Sequence, residues 1–148
     1  MKKLSTLIVL FIVMLGVTSC NKSDSKIQAN TEEFKNQTVV YYFHTDRRCK
    51  TCMKIEKTTF NLVVHDFAEA RKAGKLSFKQ FNIDREENLD MAIEFEASGS
   101  KLCVVNYDND GKKTITDLTD FAFSNAFSEE KFEPGIKAAI EKALDANK

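Results

Sequence analysis

The chain has a single proline, Pro134, no tryptophan, and four cysteines among 148 residues. It has no surplus of charge of either sign, since 22 Lys and Arg balance 22 Asp and Glu. Removing Lys2 and Lys3 leaves the remainder near −2, so the basic face that a nucleic-acid partner needs is missing. Beyond Cys20 only three cysteines remain, too few for a disulfide scaffold. A second CxxC and an HxxxH pair are absent, which argues against a closed four-ligand zinc site. Haem attachment needs a histidine directly after the second cysteine of a CxxC pair, and Met53 stands there. The apolar run over 4–17, interrupted by Ser5 and Thr6, is short for a membrane-spanning helix. No internal repeat is visible. Twelve Phe without Trp excludes nothing.

What is present describes one globular domain behind an address. With 43% hydrophobic and 30% charged residues, the chain can bury a core, and its length suits one domain. Lys2 and Lys3 precede the apolar run as the basic start of a signal peptide. The run ends in Val17-Thr18-Ser19-Cys20, an aliphatic residue and two small ones before cysteine. This resembles the lipobox of bacterial lipoproteins. The resemblance implies cleavage after residue 19, acylation of the Cys20 sulfur, and anchoring to a membrane of the cell envelope, facing the periplasm or exterior. Acyl chains bury methylenes at about 0.8 kcal/mol each. An ordinary signal peptide with an incidental cysteine, or an uncleaved anchor, is the competing reading. Thiols outside the plasma membrane are not held reduced by glutathione, so cysteine pairs there oxidise and persist. With Cys20 acylated, Cys49, Cys52 and Cys103 remain, an odd number that favours chemistry over stapling.

Residues 20–36 are polar and read as a tether. Residues 38–44 form a β-prone run without clean alternation, as expected for a strand covered on both faces. From about 50 to 73, Cys52, Ile55, Thr59, Leu62, Val63, Phe67 and Ala70 recur at helical spacing, and Gly74 ends the pattern. A second strand is expected over 76–83, with a bulge where alternation slips between Phe78 and Phe81. Asp84 and Glu87 resemble a capping box ahead of a helix bearing Leu89, Ala92, Ile93 and Phe95. A third strand over 102–107 turns at Asn109-Asp110-Gly111 into a hairpin partner over 113–118. Residues 120–132 read as irregular and Phe-rich. A last helix is expected from Pro134, as its first residue, to Leu144, with Ile136, Ala139, Ile140, Ala143 and Leu144 on its apolar face. The order β-α-β-α-β-β-α predicts an α/β fold, a mixed sheet with helices on both faces.

Cys49-Lys50-Thr51-Cys52 falls where the first strand's loop enters the long helix. Two residues between cysteines on a first helical turn bring the sulfurs within bridging reach. Free N–H groups and the positive end of the helix stabilise a thiolate there. Cys49, outermost, is the expected attacking thiol, and Cys52, one turn inward, the resolving one. Arg47, Arg48 and Lys50 add positive charge that lowers the thiol pKa further.

The strand at 38–44, the CxxC motif opening a helix, the second βα unit at 76–97, and Leu102-Cys103-Val104-Val105 before the hairpin together resemble the thioredoxin-like superfamily over about 37–145. The resemblance implies a thioredoxin-like domain over 37–148 acting in thiol–disulfide exchange. Protein dithiols or disulfides would be its substrates, an unidentified redox partner would serve it, and no cofactor is needed. Three features depart from the family: Arg48 replaces an aromatic before the first cysteine, the first strand lacks a buried acid, and Ser100 falls where a cis-proline is usual. A non-proline cis bond costs about 2.5–4 kcal/mol. Ser100 is therefore expected to be trans in the loop that shapes the substrate groove, its hydroxyl free to bond a sulfur or a substrate backbone.

The alternative reading is a copper- or zinc-binding module of similar fold using His44, Cys49 and Cys52, a soft-thiolate and imidazole set. A merely structural disulfide is the bland alternative, though so short a loop adds little stability. His44 alone reads first as a strand-end residue, and His65 as a solvent-facing helix residue. Cys103 reads as a buried apolar one. The charges over 84–90 read as a solvated helix start. Phe121, Phe123 and Phe127 are expected in the core rather than on a ligand surface.

Overall fold

The computed structural model describes residues 34–147. The expected signal peptide, Cys20 and all but the end of the tether lie outside the described residues. Strand β1 (Gln37–His44) is buried from its second residue onward, as its run of Val, Tyr and Phe requires. It lies at the centre of a four-stranded sheet ordered β2-β1-β3-β4, in which β2 spans Leu76–Asn82, β3 Lys101–Tyr107 and β4 Lys113–Asp117. β1 runs parallel to β2 and antiparallel to β3, and β3 pairs antiparallel with β4.

The two faces of β1 build two cores, because successive side chains point to opposite sides. Val40 and Tyr42 join Ile55, Leu62, Val63, Leu102, Val104, Ile136 and Ile140 on one face. Helices α1 (Lys50–Asn61), α4 (Thr119–Asn125) and α5 (Phe132–Asp145) cover that side. Val39, Tyr41 and Phe43 join Phe95, Cys103, Val105 and Tyr107 on the other, beside the short helix α3 (Leu89–Glu94). The fold is thus α/β, a mixed sheet with helices on both faces. Phe34, at the end of the expected tether, packs on the Tyr107 ring with Lys79 over it.

Several local expectations are corrected. The long helix is not continuous: α1 passes into a π-helical stretch, Leu62–Asp66, and then α2 (Ala68–Lys72). The Phe67 amide bonds the Leu62 carbonyl at 3.2 Å, the five-residue step that accommodates one extra residue. No bulge interrupts β2, which pairs with β1 residue for residue from Leu76 to Asn82. Phe78 and Phe81 simply face opposite cores. Asp84 and Glu87 do not cap α3. A 3-10 turn, Glu86–Asn88, intervenes, and the Asp84 carboxylate accepts from the Asp46 amide at 2.7 Å. The irregular stretch is partly helical, as α4. There Phe121 is half-buried, whereas Phe123 and Phe127 are exposed, Phe127 at 70%. α5 starts at Phe132, two residues before Pro134. A proline is tolerated within a first turn, whose N–H groups have no intrahelical partner.

Candidate functional site

β1 ends at His44, beside the carboxyl end of parallel β2, and the chain turns through residues 45–49 into α1. This turn is fastened to β2: Asn82 donates to the Asp46 carboxylate at 2.7 Å, and Arg85 pairs with it at 3.2 Å. The Thr45 hydroxyl donates to the Arg47 carbonyl at 2.9 Å. Cys49 is thereby delivered to the N-cap of α1 with extended backbone, φ −80° and ψ 162°.

Cys49 and Cys52 are joined as a disulfide, their Cα atoms 5.1 Å apart. Their surroundings differ. Cys49 is exposed, while Cys52 is 7% exposed and faces the core with Ile55. The Cys52 amide donates to the Cys49 sulfur at 3.0 Å, as a capping side chain accepts from the first helical turn. An amide so aimed favours negative charge on Cys49 once the bond is reduced.

The residues expected around the pair are placed as follows. Lys50 is exposed on the first turn, and Arg47 is exposed in the loop before it. Arg48 is half-buried and ion-paired with the Glu56 carboxylate. Glu56 carries no signal in a search for motifs, yet it stands four residues after Cys52 and seven after Cys49, on one helix face. Its pairing with Arg48 brings its carboxylate back to the start of the helix.

Ser100 is half-buried just before β3 and lines an open cleft of about 460 Å³ with Glu96, Lys101, Asp117 and Asp120. The chain enters this loop through Glu96, whose φ of +51° ends α3 in the left-handed region. The Ser100 hydroxyl reaches the phenol oxygen of Tyr42. Tyr42 was hidden within an apolar run, although a buried tyrosine needs a partner for its hydroxyl. That hydroxyl donates to the Cys52 carbonyl at 2.8 Å. Burial raises the Tyr42 pKa, opposed by Ser100 and Arg48.

His44 is buried at the end of β1 and both ring nitrogens are engaged. Nδ1 meets the Thr45 carbonyl at 3.0 Å and must donate to it, so in the neutral ring Nε2 accepts from the Gln80 amide at 2.9 Å. A metal would have to displace one of these bonds. Among the described residues no three His, Cys, Asp or Glu side chains are grouped to hold a metal ion. Cys103 lies at the centre of β3, wholly buried, with burial pushing its thiol up to about 12. His65 is exposed on the π-helical stretch. No described helix is long and apolar enough to cross a membrane.

No protein-family model and no curated protein matches the chain. Among solved structures it is similar to the solution structure of a thioredoxin from Thermus thermophilus, with 16% sequence identity and a TM-score of 0.49. The match covers 76% of this chain and 80% of that one.

Proposed function

We propose that the chain is a thiol–disulfide oxidoreductase acting on polypeptide cysteines, tethered through an acylated Cys20 to the outward side of a bacterial membrane. One observation carries the redox reading: an exposed residue, Cys49, is disulfide-bonded to a buried one, Cys52, at the first turn of a helix. In the reducing direction, the Cys49 thiolate attacks a substrate disulfide, forms a mixed disulfide, and expels one substrate thiolate. Cys52 then loses its proton and attacks the Cys49 sulfur. The second substrate thiolate leaves, two electrons have passed to the substrate, and the Cys49–Cys52 bond is restored. The reverse sequence oxidises a dithiol, and the reduction potential of the pair sets which direction prevails. The unequal exposure of the two residues supports these roles, since Cys49 lies at the surface and Cys52 is buried behind it.

Equilibration of the full chain against glutathione buffers, read by alkylation and mass, tests the reading. The expected result is reversible two-electron conversion of the pair, with Cys49→Ser unable to exchange and Cys52→Ser trapping a mixed disulfide at Cys49. Failure of the wild type to exchange overturns it, and retention of stoichiometric copper or zinc at neutral pH would favour a metal-binding module. The anchor rests on Val17-Thr18-Ser19-Cys20. Acyl-chain labelling with detergent partitioning checks it: wild type should label, and Cys20→Ala should not. An unlabelled wild type in the aqueous phase removes the anchor.

A further inference from the structure

Behind the disulfide, three segments of chain converge on one oxygen. The Tyr42 hydroxyl donates to the Cys52 carbonyl at 2.8 Å, in the first turn of the helix that carries the pair. A phenol oxygen also has acceptor capacity, and it is met by the Ser100 hydroxyl and the Arg48 guanidinium. The ladder explains the meeting. Tyr42 stands opposite Leu102 in the antiparallel pairing of β1 with β3. Ser100 lies two residues earlier, diagonal to Tyr42 and on the same face. Tyr42 is wholly buried, so water does not take the place of these partners.

We propose that Tyr42 is a positioning residue that fixes the Ser100 loop relative to the Cys49–Cys52 pair and so governs how a polypeptide disulfide is received beside Cys49. The inference rests on the exchange reading above and adds to it a device for macromolecular substrates. Ser100 lines the open cleft, and its hydroxyl is tied through Tyr42 to the carbonyl of Cys52. A polypeptide must be held by its backbone while one sulfur meets Cys49, and small offsets of the holding surface slow such reactions steeply. A small disulfide can approach exposed Cys49 without using that surface.

The test compares Tyr42→Phe, Ser100→Ala and the double variant, each in the full chain. Two substrates are used: insulin, a disulfide-bonded polypeptide, and oxidised glutathione. Each single variant is expected to lower kcat/KM for the polypeptide by about tenfold. The rate with oxidised glutathione should stay within about twofold of wild type. The double variant should match either single one, because both remove the same link. Equal losses on both substrates, or multiplied losses in the double variant, overturn the inference. Should Tyr42→Phe fail to fold, Ser100→Ala carries the comparison, and a polypeptide rate equal to wild type overturns it. A wild type inert towards oxidised glutathione removes the exchange reading and the inference with it. A reactive wild type whose variants show no selectivity removes the inference only.

Discussion

Arg48 and Glu56 are ion-paired beside the disulfide, the arginine one residue before Cys49 and the glutamate four after Cys52. Both side chains are mostly buried, 25% and 19% exposed, so the pair is less screened than one on the open surface. Arg48 therefore does not act on Cys49 as a free cation. We expect Glu56 to offset much of its charge at Cys49, with the helix N-terminus and exposed Lys50 left to favour the thiolate.

Opposite effects follow from breaking this pair at its two ends. Glu56→Gln frees the guanidinium and removes a nearby negative charge, so alkylation of reduced Cys49 at pH 6 should speed up a few-fold. Arg48→Ala leaves the carboxylate uncompensated and should slow it by a similar factor. Rates measured against pH decide the matter. Shifts of the same sign in both variants would show that the pair does not tune Cys49.

Burial makes a separate prediction for Cys103. Its thiol is pushed up to about 12 by desolvation, with Asp117 adding to the shift and Lys101 opposing it. It should stay protonated and unlabelled by iodoacetamide across the range in which Cys49 reacts, and label only in denaturant. Mass analysis of native and unfolded samples reads this directly. Labelling of native Cys103 at a rate near that of Cys49 would mean that β3 opens easily or that the thiol has a redox role.

The central strand, the helix that follows it and the position of the cysteine pair were legible because two-sided burial and helical spacing are strong patterns. The Cys52, Ile55, Thr59, Leu62 and Val63 stripe is buried as read. What was not legible depended on short elements or on polar atoms inside apolar runs. α4 has seven residues, of which only Ala122 is fully buried, too few to show a period. Its start is held by Asp117, whose carboxylate accepts from the Thr119 amide at 2.8 Å from outside the helix. Tyr42 contributes to the site through one hydroxyl on a residue that otherwise belongs to the core. Glu56 reads as an ordinary exposed helix residue until Arg48 folds onto it. The two-sided core also misled where it mimicked a bulge in β2, since Phe78 and Phe81 both find apolar cover.

Gly135 shows a packing demand that helix propensity opposes. A glycine inside a helix costs roughly 1 kcal/mol relative to alanine, yet Gly135 sits in α5. A Cβ there would run into the ring of Phe121 from α4. Overpacking of this kind costs about 1–3 kcal/mol, set against the propensity gain. Gly135→Ala should therefore lower stability by up to about 2 kcal/mol, read from urea midpoints. Gly135→Ala combined with Phe121→Leu should recover part of that loss. A stabilised single variant would mean that the Phe121 ring swings aside freely.

The junction of β4 with α4 carries a pH dependence of definite sign. Burial alone would raise the Asp117 pKa. Hydrogen bonds from Thr119 and the charge of Lys101, whose ammonium lies 3.0 Å away, outweigh it and hold the carboxyl below the usual carboxylate range. A carboxyl depressed in the folded state adds stability above its unfolded pKa and loses it as the pH falls through the folded value. Asp117→Asn is an informative change because its amide oxygen can still accept from Thr119. What it removes is the charge facing Lys101. Asp117 is 49% exposed, so the effect at neutral pH is set at about 0.5 kcal/mol. Wild type should exceed the variant by that amount at pH 7, and the gap should close between about pH 5 and pH 2. Added salt should narrow the gap at pH 7, because half-exposed charges are screened. Urea midpoints of both proteins across that range give the answer. A gap that stays constant with pH would mean that Asp117 contributes through hydrogen-bond geometry alone.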